Sequence, residues 1–305
     1  MKLLLGNEAM AQGAIAGGAT LFAGYPLAQS AEIDAALMVE LPARGGVTLP
    51  AEDAPAAIGA VLGAGAAGRL GVTALTASAL ASADDLIRYG IESKLPGLFL
   101  VVGARPAGAM RAEAAGQSEA LRLRIAPHAD SVAPVWAPAT SGECFTVARR
   151  AAADARDRKI PAIVYADDVV AHLREPVAME DPSSMPEPPL AELYRTRDAT
   201  VLVIAFGIVA RAAHTAVRMA RDEGIRAGLF RPVRLWPFPH RELASLLGRA
   251  RTLLVAELNE GQLVESVAVA AGAARERCAL RSIAESREGM IVPSRILESL
   301  REAAW

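Results

Sequence analysis

The chain has 305 residues, with 32 Lys and Arg against 34 Asp and Glu, so its formal net charge is −2. This balance argues against a dedicated binder of nucleic acids or of anionic membrane surfaces. A hydrophobic fraction of 52% at this length excludes a small stapled fold and predicts one large or two ordinary domains with substantial cores.

The first half of the chain alternates short aliphatic runs with longer Ala-rich stretches, a pattern typical of strands and helices in turn. We predict strands at residues 20–24, 72–75, 98–102 and 160–165. We predict helices at residues 8–17, 52–62, 83–93 and 142–157. The alternation indicates an α/β domain over residues 1–175, with a mainly parallel sheet covered by helices.

The chain then becomes rich in proline and acidic residues, and the hydrophobic periodicity disappears, so residues 176–198 are predicted to be a linker. Alternation resumes with predicted strands at 201–205, 227–229 and 252–256 and predicted helices at 210–223, 241–247 and 262–274. We therefore predict a second α/β domain over residues 199–305.

A glycine-rich run, Gly63-Ala64-Gly65-Ala66-Ala67-Gly68, matches the dinucleotide pattern G-x-G-x-x-G. That pattern binds a pyrophosphate only when a strand leads into the glycines and a helix follows. Here a predicted helix precedes the run. We therefore favour a helix end or a site of close helix packing over a nicotinamide site.

The sequence offers little for a metal or a membrane. Cys144 and Cys278 lie far apart and outside any C-x-x-C pair, so this chain cannot build an iron–sulfur cluster or a structural zinc site by itself. No two histidines have the spacing of a metal pair on one helix face. The longest apolar run is too short to span a bilayer, and the N-terminus lacks a signal-peptide pattern, so we expect a cytoplasmic protein.

Two charged residues fall where function is often found. Glu52 begins a predicted apolar helix, and on the residues alone we favour a carboxylate that stabilises the helix dipole. Arg105 follows the strand at 98–102, at the edge of a parallel sheet where ligands bind in α/β folds. For Arg105, a ligand contact and an ordinary surface arginine are both open.

Four sequence strings carry a resemblance to a known family: Leu-Leu-Gly-Asn-Glu-Ala at 4–9, Ala-Gly-Tyr-Pro at 23–26, Leu-Trp-Pro-Phe-Pro at 235–239, and Val-Ala-Glu-Leu-Asn-Glu-Gly-Gln at 255–262. The chain resembles the α subunit of the 2-oxoacid:ferredoxin oxidoreductases, thiamine-diphosphate enzymes of the pyruvate and 2-oxoglutarate synthase type. The resemblance implies a thiamine pyrimidine-binding-type first domain and a transketolase C-terminal-type second domain.

The resemblance also implies roles for individual residues. Glu52 matches the catalytic carboxylate that hydrogen-bonds N1′ of the thiamine aminopyrimidine, and Arg105 matches the catalytic arginine that faces the substrate carboxylate. The implied cofactor-binding residues are Tyr25, Pro26, Glu52 and Ser78. The implied substrate pocket comprises Leu27, Ala28, Arg105 and Gln117, and no metal ligand is expected in this chain.

The activity implied by the resemblance is the oxidative decarboxylation of a 2-oxoacid to an acyl-CoA. A β subunit would supply the diphosphate and Mg²⁺ site, because this chain has no Gly-Asp-Gly segment leading to the usual Asn ligand. Partner subunits of γ/δ type would carry iron–sulfur clusters that reduce ferredoxin or another acceptor. Two alternatives stay open: a subunit of a non-oxidative thiamine-dependent decarboxylase or carboligase, and a non-catalytic structural subunit.

The sequence departs from the family pattern at two places. Leu27-Ala28-Gln29-Ser30 stands where the family reads Ile-Thr-Pro-Ser, so a substrate-bonding hydroxyl is missing at Ala28. Residues 76–81, Thr-Ala-Ser-Ala-Leu-Ala, replace a glycine-rich Thr-Ser-Gly-Pro-Gly loop. The larger pocket at Ala28 would admit a bulkier or less polar 2-oxoacid, or would serve a variant reaction.

Overall fold

A computed structural model describes residues 1–103, 117, 119–124, 132–179, 186–285 and 289–304. The chain divides into two units. Unit 1 is Met1–Ala104 with Arg122–Pro188, and unit 2 is Arg105–Leu121 with Pro189–Trp305. The predicted site residue Arg105 lies outside the described residues.

Unit 1 is an α/β sandwich built on a parallel sheet. Its strands are β1 Lys2–Leu5, β2 Leu21–Gly24, β3 Val47–Pro50, β4 Gly71–Thr76, β5 Gly97–Val102, β6 Val135–Trp136, β7 Pro161–Ala166 and β8 Arg174–Val177. Its helices are α1 Gly6–Ala16, α2 Ala31–Glu40, α3 Ala54–Ala66, α4 Ala77–Ala81, α5 Asp84–Glu92, α6 Ser141–Arg158 and α7 Asp168–His172.

Six strands of this unit lie side by side in the order β6-β7-β5-β4-β2-β3, all parallel, whereas β1 and β8 form a separate antiparallel pair. Every residue of β4, β5 and β7 is buried, as expected for strands covered on both faces by helices. Helices α1 and α6 pack closely because Gly13 has no Cβ to collide with the main-chain oxygen of Phe145. The carboxyl ends of the six strands meet at one edge.

Unit 2 is a second α/β unit. Its strands are β9 Ala191–Tyr194, β10 Val201–Ile204, β11 Ala227–Pro232, β12 Arg234–Trp236, β13 Thr252–Glu257 and β14 Ala279–Ala284. Its helices are α8 Gly207–Asp222, α9 His240–Ala244, α10 Gln262–Ala271 and α11 Pro293–Ala304. The sheet order is β14-β13-β10-β11-β9, in which the first four strands are parallel and β9 is an antiparallel edge strand.

The α/β prediction and the main aliphatic strands are confirmed, and the elements that were missed are short or partly exposed, among them the buried two-residue strand β6. The predicted linker 176–198 contains the edge strand β9, whose partly exposed residues give no aliphatic run. The short strand β3, the helix α2 and the elements after residue 278 are likewise absent from the prediction. The predicted helix at 241–247 ends at Ala244 instead.

The glycine-rich run lies at the end of α3, as predicted. The helix continues to Ala66, and Gly68 has a φ of +72°, a left-handed conformation that glycine adopts readily. A Cβ at Gly65 would collide with the main-chain oxygen of Pro96. The glycines therefore end a helix and allow close packing, and they do not follow a strand as a dinucleotide site requires.

Candidate functional site

Several predicted site residues share the carboxyl edge of the unit 1 sheet. Tyr25 and Pro26 directly follow β2, Glu52 follows β3, and Ser78 lies just after β4. Strand β2 is hydrogen-bonded to β3 on one side and to β4 on the other. The fold therefore brings these four residues, which are far apart in the chain, to the ends of neighbouring strands.

Two adjacent carboxylates precede α3, and they are used differently. Asp53 is the N-cap of the helix: its Oδ1 accepts a hydrogen bond from the main-chain nitrogen of Ala56 at 2.7 Å. Glu52 lies one residue outside the helix cap and is exposed, and its carboxylate has no hydrogen bond or ion pair with the residues that the structure describes. Asp53 and not Glu52 therefore makes the N-cap hydrogen bond, and the dipole role that the residues alone favoured for Glu52 stays a prediction.

The main chain ties Glu52 to the Tyr-Pro turn. The nitrogen of Ala51 donates to the oxygen of Gly24 at 2.8 Å, which links the residue before Glu52 to the residue before Tyr25. Tyr25 is half-buried and Pro26 is exposed. A carboxylate and an aromatic side chain therefore stand at the ends of two adjacent strands held in register.

The segment after the turn is held by a residue to which sequence reasoning gave no role. Asn7, fully buried at the start of α1, donates from Nδ2 to the oxygen of Gln29 at 2.9 Å and to Oε2 of Glu32 at 2.8 Å. His172 of α7 lies next to them, with its Nε2 3.8 Å from Oε2 of Glu32. This network fixes the short turn at residues 28–30, on which Ala28 is exposed.

The signal for Asn7 was present in the sequence. It belongs to the string Leu-Leu-Gly-Asn-Glu-Ala that carried the family resemblance. A buried amide needs partners, so an Asn at the start of an apolar Ala-rich helix indicates a specific hydrogen-bonding task.

Ser78 lies in a short helix where the sequence departs from the family pattern. Thr76 is the N-cap of α4, and its Oγ1 accepts from the nitrogen of Ala79 at 3.2 Å. The hydroxyls of Thr76 and Ser78 are 3.0 Å apart. Ser78 is exposed at the sheet edge, so its hydroxyl is available to a ligand as well as to Thr76.

Gln117 belongs to unit 2, where its side chain bridges two main-chain segments. Its Nε2 donates to the oxygen of Phe206 at 3.0 Å, and its Oε1 accepts from the nitrogen of Leu258 at 3.3 Å. The main-chain nitrogen of Gln117 also donates to the oxygen of Leu258 at 2.8 Å. Gln117 is fully buried, so the contacts within this unit give it a structural task, and its pocket role stays a prediction.

The string at 255–262 builds the start of α10. Glu257 is fully buried and accepts from the nitrogens of Leu263 and Val264 at 2.5 and 3.1 Å. Burial raises the pKa of its carboxyl, and these main-chain donors act against that rise. Oδ1 of Asn259 accepts from the nitrogens of Gly261 and Gln262 at 2.9 and 3.0 Å. The string therefore serves as a helix start.

The pKa of one carboxyl group on α2, that of Asp34, is strongly shifted. Asp34 lies on α2, and burial raises the pKa of its carboxyl from 3.8 to about 7. Its buried Oδ1 has no hydrogen-bond partner among the described residues. A carboxyl in this setting is disfavoured in its charged form.

The described residues contain no group of three or more His, Cys, Asp or Glu side chains placed to hold a metal ion. Both cysteines are buried, and burial raises the pKa of the Cys144 thiol.

Among the helices that the structure describes, none is long and apolar enough to cross a membrane.

Two protein-family models match the chain. Residues 12–224 match the family model described as pyruvate flavodoxin/ferredoxin oxidoreductase, thiamine diphosphate-binding. Residues 199–290 match the model for pyruvate:ferredoxin oxidoreductase core domain II. These matches confirm the resemblance drawn from the sequence.

Curated relatives extend over most of the chain. The 2-oxoglutarate synthase subunit KorA of Methanothermobacter marburgensis is 29% identical over 86% of this chain and 89% of its own length. The ketoisovalerate oxidoreductase subunit VorB of the same organism is 25% identical over 99% of this chain and 98% of its own length.

A solved structure shares the fold. The 2-oxoglutarate:ferredoxin oxidoreductase from Magnetococcus marinus, with 2-oxoglutarate, coenzyme A and succinyl-CoA bound, superposes with a TM-score of 0.86 at 20% identity. The match covers 100% of this chain and 65% of that one. At this identity the likeness shows the fold alone.

Proposed function

The chain belongs to the pyruvate flavodoxin/ferredoxin oxidoreductase family as an α-type subunit of a 2-oxoacid oxidoreductase, and from that premise we propose how its own residues act. The complex would oxidatively decarboxylate a 2-oxoacid in the cytoplasm. CoA would take the acyl group, and the electrons would pass to iron–sulfur clusters on partner subunits.

The carboxylate of Glu52, which has no partner among the described residues, is the observation that carries the proposal. A carboxylate that exchanges a proton with a cofactor is better placed when no competing donor occupies it, and here the neighbouring Asp53 forms the helix cap. The residues at this edge therefore fit the aminopyrimidine of thiamine diphosphate. When bound, this cofactor supplies the electron sink that lets a 2-oxoacid lose CO₂.

In this proposal Glu52 holds a proton between its carboxyl group and N1′ of the aminopyrimidine. Tyr25 and Pro26 bound the cofactor at the end of β2, and Ser78 offers its hydroxyl from the start of α4. Because Asp53 makes the cap, the carboxylate of Glu52 is not drawn into a bond with the helix start.

The substrate pocket is proposed to lie along the turn after Pro26. Leu27 and Ala28 would contact the substrate chain, and Asn7 would keep this turn in place through the oxygen of Gln29. Arg105 is proposed to face the substrate carboxylate, because its planar guanidinium offers two parallel donors. Gln117 is the remaining proposed pocket residue.

We propose that a β subunit provides the diphosphate and Mg²⁺ contacts and that γ/δ-type subunits provide the iron–sulfur clusters. Support comes from the relatives, which are named as single subunits of 2-oxoacid-metabolising enzymes. The electron acceptor would be ferredoxin or a similar carrier. The two alternatives predict other outcomes for the assembled complex: a non-oxidative decarboxylase would release an aldehyde, and a complex with a structural subunit would be inactive.

Activity of the co-purified complex tests the proposal. Pyruvate, 2-oxoglutarate, a branched-chain 2-oxoacid and an aryl glyoxylate are supplied with CoA and an artificial one-electron acceptor, and acceptor reduction and CO₂ release are measured. We expect CoA-dependent reduction with at least one of them. Aldehyde release without acceptor reduction would point to the non-oxidative reaction. An inactive but cofactor-loaded complex would point to a structural subunit.

A further inference from the structure

Unit 2 has a basic cleft at the amino edge of its sheet, which we call the arginine cleft. It has a volume of ≈ 540 Å³ and lies where the parallel strands β10, β11 and β13 begin. The lining residues are Arg197, Asp198, Thr200, Arg226, Leu247, Gly248, Arg249, Ala250, Arg251 and Arg277. None of them has a role in the proposed oxidation of a 2-oxoacid.

The topology explains why several arginines converge there. Arg226 directly precedes β11 and Arg251 directly precedes β13, and both strands are hydrogen-bonded to β10, which begins after Thr200. Adjacent strands are about 4.8 Å apart, so Arg226 and Arg251 emerge about 10 Å from each other on either side of Thr200. Arg277 enters from the start of the next strand, β14.

The positive charge of the arginine cleft is only partly neutralised within the described part of the chain, where Arg221, and more weakly Arg226, lower the pKa of Asp198. The cleft holds five arginines and one carboxylate, Asp198, which already forms two bonds of 2.7 and 2.8 Å with Arg221. The guanidinium groups of Arg226, Arg251 and Arg277 make no hydrogen bond or ion pair with described residues.

Some arginines elsewhere in this chain are paired with carboxylates. Arg44 meets Glu40, Arg88 meets Asp84, and Arg301 meets Glu223 with its Nη2 2.6 Å from the carboxylate. The five arginines of the cleft are exposed, so water and salt screen part of their mutual repulsion, and a bound anion would remove more of it.

We propose that the arginine cleft binds a small ligand carrying two or more linked phosphate groups. Guanidinium forks recognise phosphate oxygens through paired donors, and arginines arriving from three strands suit two linked phosphates better than one. Among the described residues no aromatic side chain lines the cleft, so they offer a base nothing to stack on and we assign binding to the phosphates. The shared chemistry is that of inorganic pyrophosphate, a nucleoside diphosphate and the diphosphate of CoA.

Titration calorimetry on the full chain at low salt tests this inference, with pyrophosphate, ADP, CoA and orthophosphate as separate probes. We expect saturable pyrophosphate binding at least about tenfold tighter than orthophosphate binding, weakened by added salt. If ADP and CoA bind like pyrophosphate, the diphosphate alone is recognised. If CoA binds more tightly than ADP, its additional phosphate is recognised as well.

The double variant Arg226→Gln with Arg251→Gln should weaken pyrophosphate binding at least about tenfold, since hydrogen bonds to charged groups are lost. The matched control is Arg218→Gln with Arg241→Gln, two exposed arginines of unit 2 outside the cleft that remove the same charge. The control should bind like the parent chain, and thermal melts of both variants check their folding. Absence of saturable binding, or equal weakening in both variants, would overturn the inference. Binding is read without turnover, so its failure leaves the proposed oxidoreductase function untouched.

Discussion

The two carboxylates before α3 differ in their hydrogen bonds because one residue of spacing changes what each can reach. An N-cap side chain must turn back toward the third helical nitrogen, which Asp53 does at 2.7 Å. Glu52, the residue before the cap, makes no such bond with the described residues and is exposed. Glu52 therefore remains free for a ligand, and the sequence could not reveal this because either carboxylate suited the cap on charge alone.

The exposed Ala28 offers a test of substrate size at the residue scale. Ala28→Thr adds a hydroxyl donor and two heavy atoms to the proposed pocket. With a small substrate the added bond should raise kcat/KM by up to about tenfold. With a bulky substrate, overpacking of about 1–3 kcal/mol should lower kcat/KM. We expect the second result.

Steady-state kinetics on pyruvate, 2-oxoglutarate, a branched-chain 2-oxoacid and an aryl glyoxylate distinguish these cases. A selective loss on the larger substrates supports the steric account of Ala28. An increase on every substrate would show that the pocket has room for threonine, and the steric account would then fail.

Burial of the Asp34 carboxyl on helix α2 lowers the stability of the folded chain when that carboxyl is charged. Asp34 has a pKa of about 7 in the folded chain because of burial, against an ordinary value of 3.8. The folded state therefore binds this proton more tightly than the unfolded state does, so stability is lost as pH rises from about 4 to 7. The full shift corresponds to at most about 4 kcal/mol, reduced by partial contact with solvent.

Asp34→Asn should consequently raise the melting temperature at pH 8 and have no such benefit near pH 4. Asp85→Asn, at an exposed carboxylate in the first turn of α5, controls for the loss of one negative charge. Thermal melts across this pH range measure the difference between the variants. A benefit of Asp34→Asn that is the same at both pH values would contradict the assigned cause.

The elements predicted from sequence are those whose pattern reflects burial. Strands β4, β5 and β7 are buried throughout and read as aliphatic runs. Strands β3 and β9 lie at sheet edges, where exposed positions interrupt the apolar pattern. The network around Asn7 depends on contacts between α1, α2 and α7, which local patterns do not encode.

At the scale of the whole molecule, the division of the chain depends on long-range hydrogen bonds. The sequence assigned residues 1–175 to one domain, whereas Gln117 belongs to unit 2, because it bonds to Phe206 and Leu258. These partners lie 89 and 141 positions away. The amino-acid composition does not change where the chain passes from unit 1 to unit 2 and back.

The proposed sharing of the cofactor predicts how the isolated chain behaves. It supplies only contacts to the pyrimidine side, so it should bind thiamine diphosphate weakly or not at all without its β partner. Calorimetry of the chain alone and of the complex, each with Mg²⁺, measures this directly. Tight Mg²⁺-dependent binding to the isolated chain would contradict the proposed division of contacts.

Paired substitutions at the start of α3 test the central claim that Glu52 acts on the cofactor while Asp53 only caps the helix. In the assembled, cofactor-saturated complex, Glu52→Gln should lower turnover at least about 100-fold with little change in melting temperature. Asp53→Ala should cost about 1 kcal/mol of stability and leave turnover within a few-fold of the parent. Turnover of Glu52→Gln within a few-fold of the parent complex would contradict the assignment of this site.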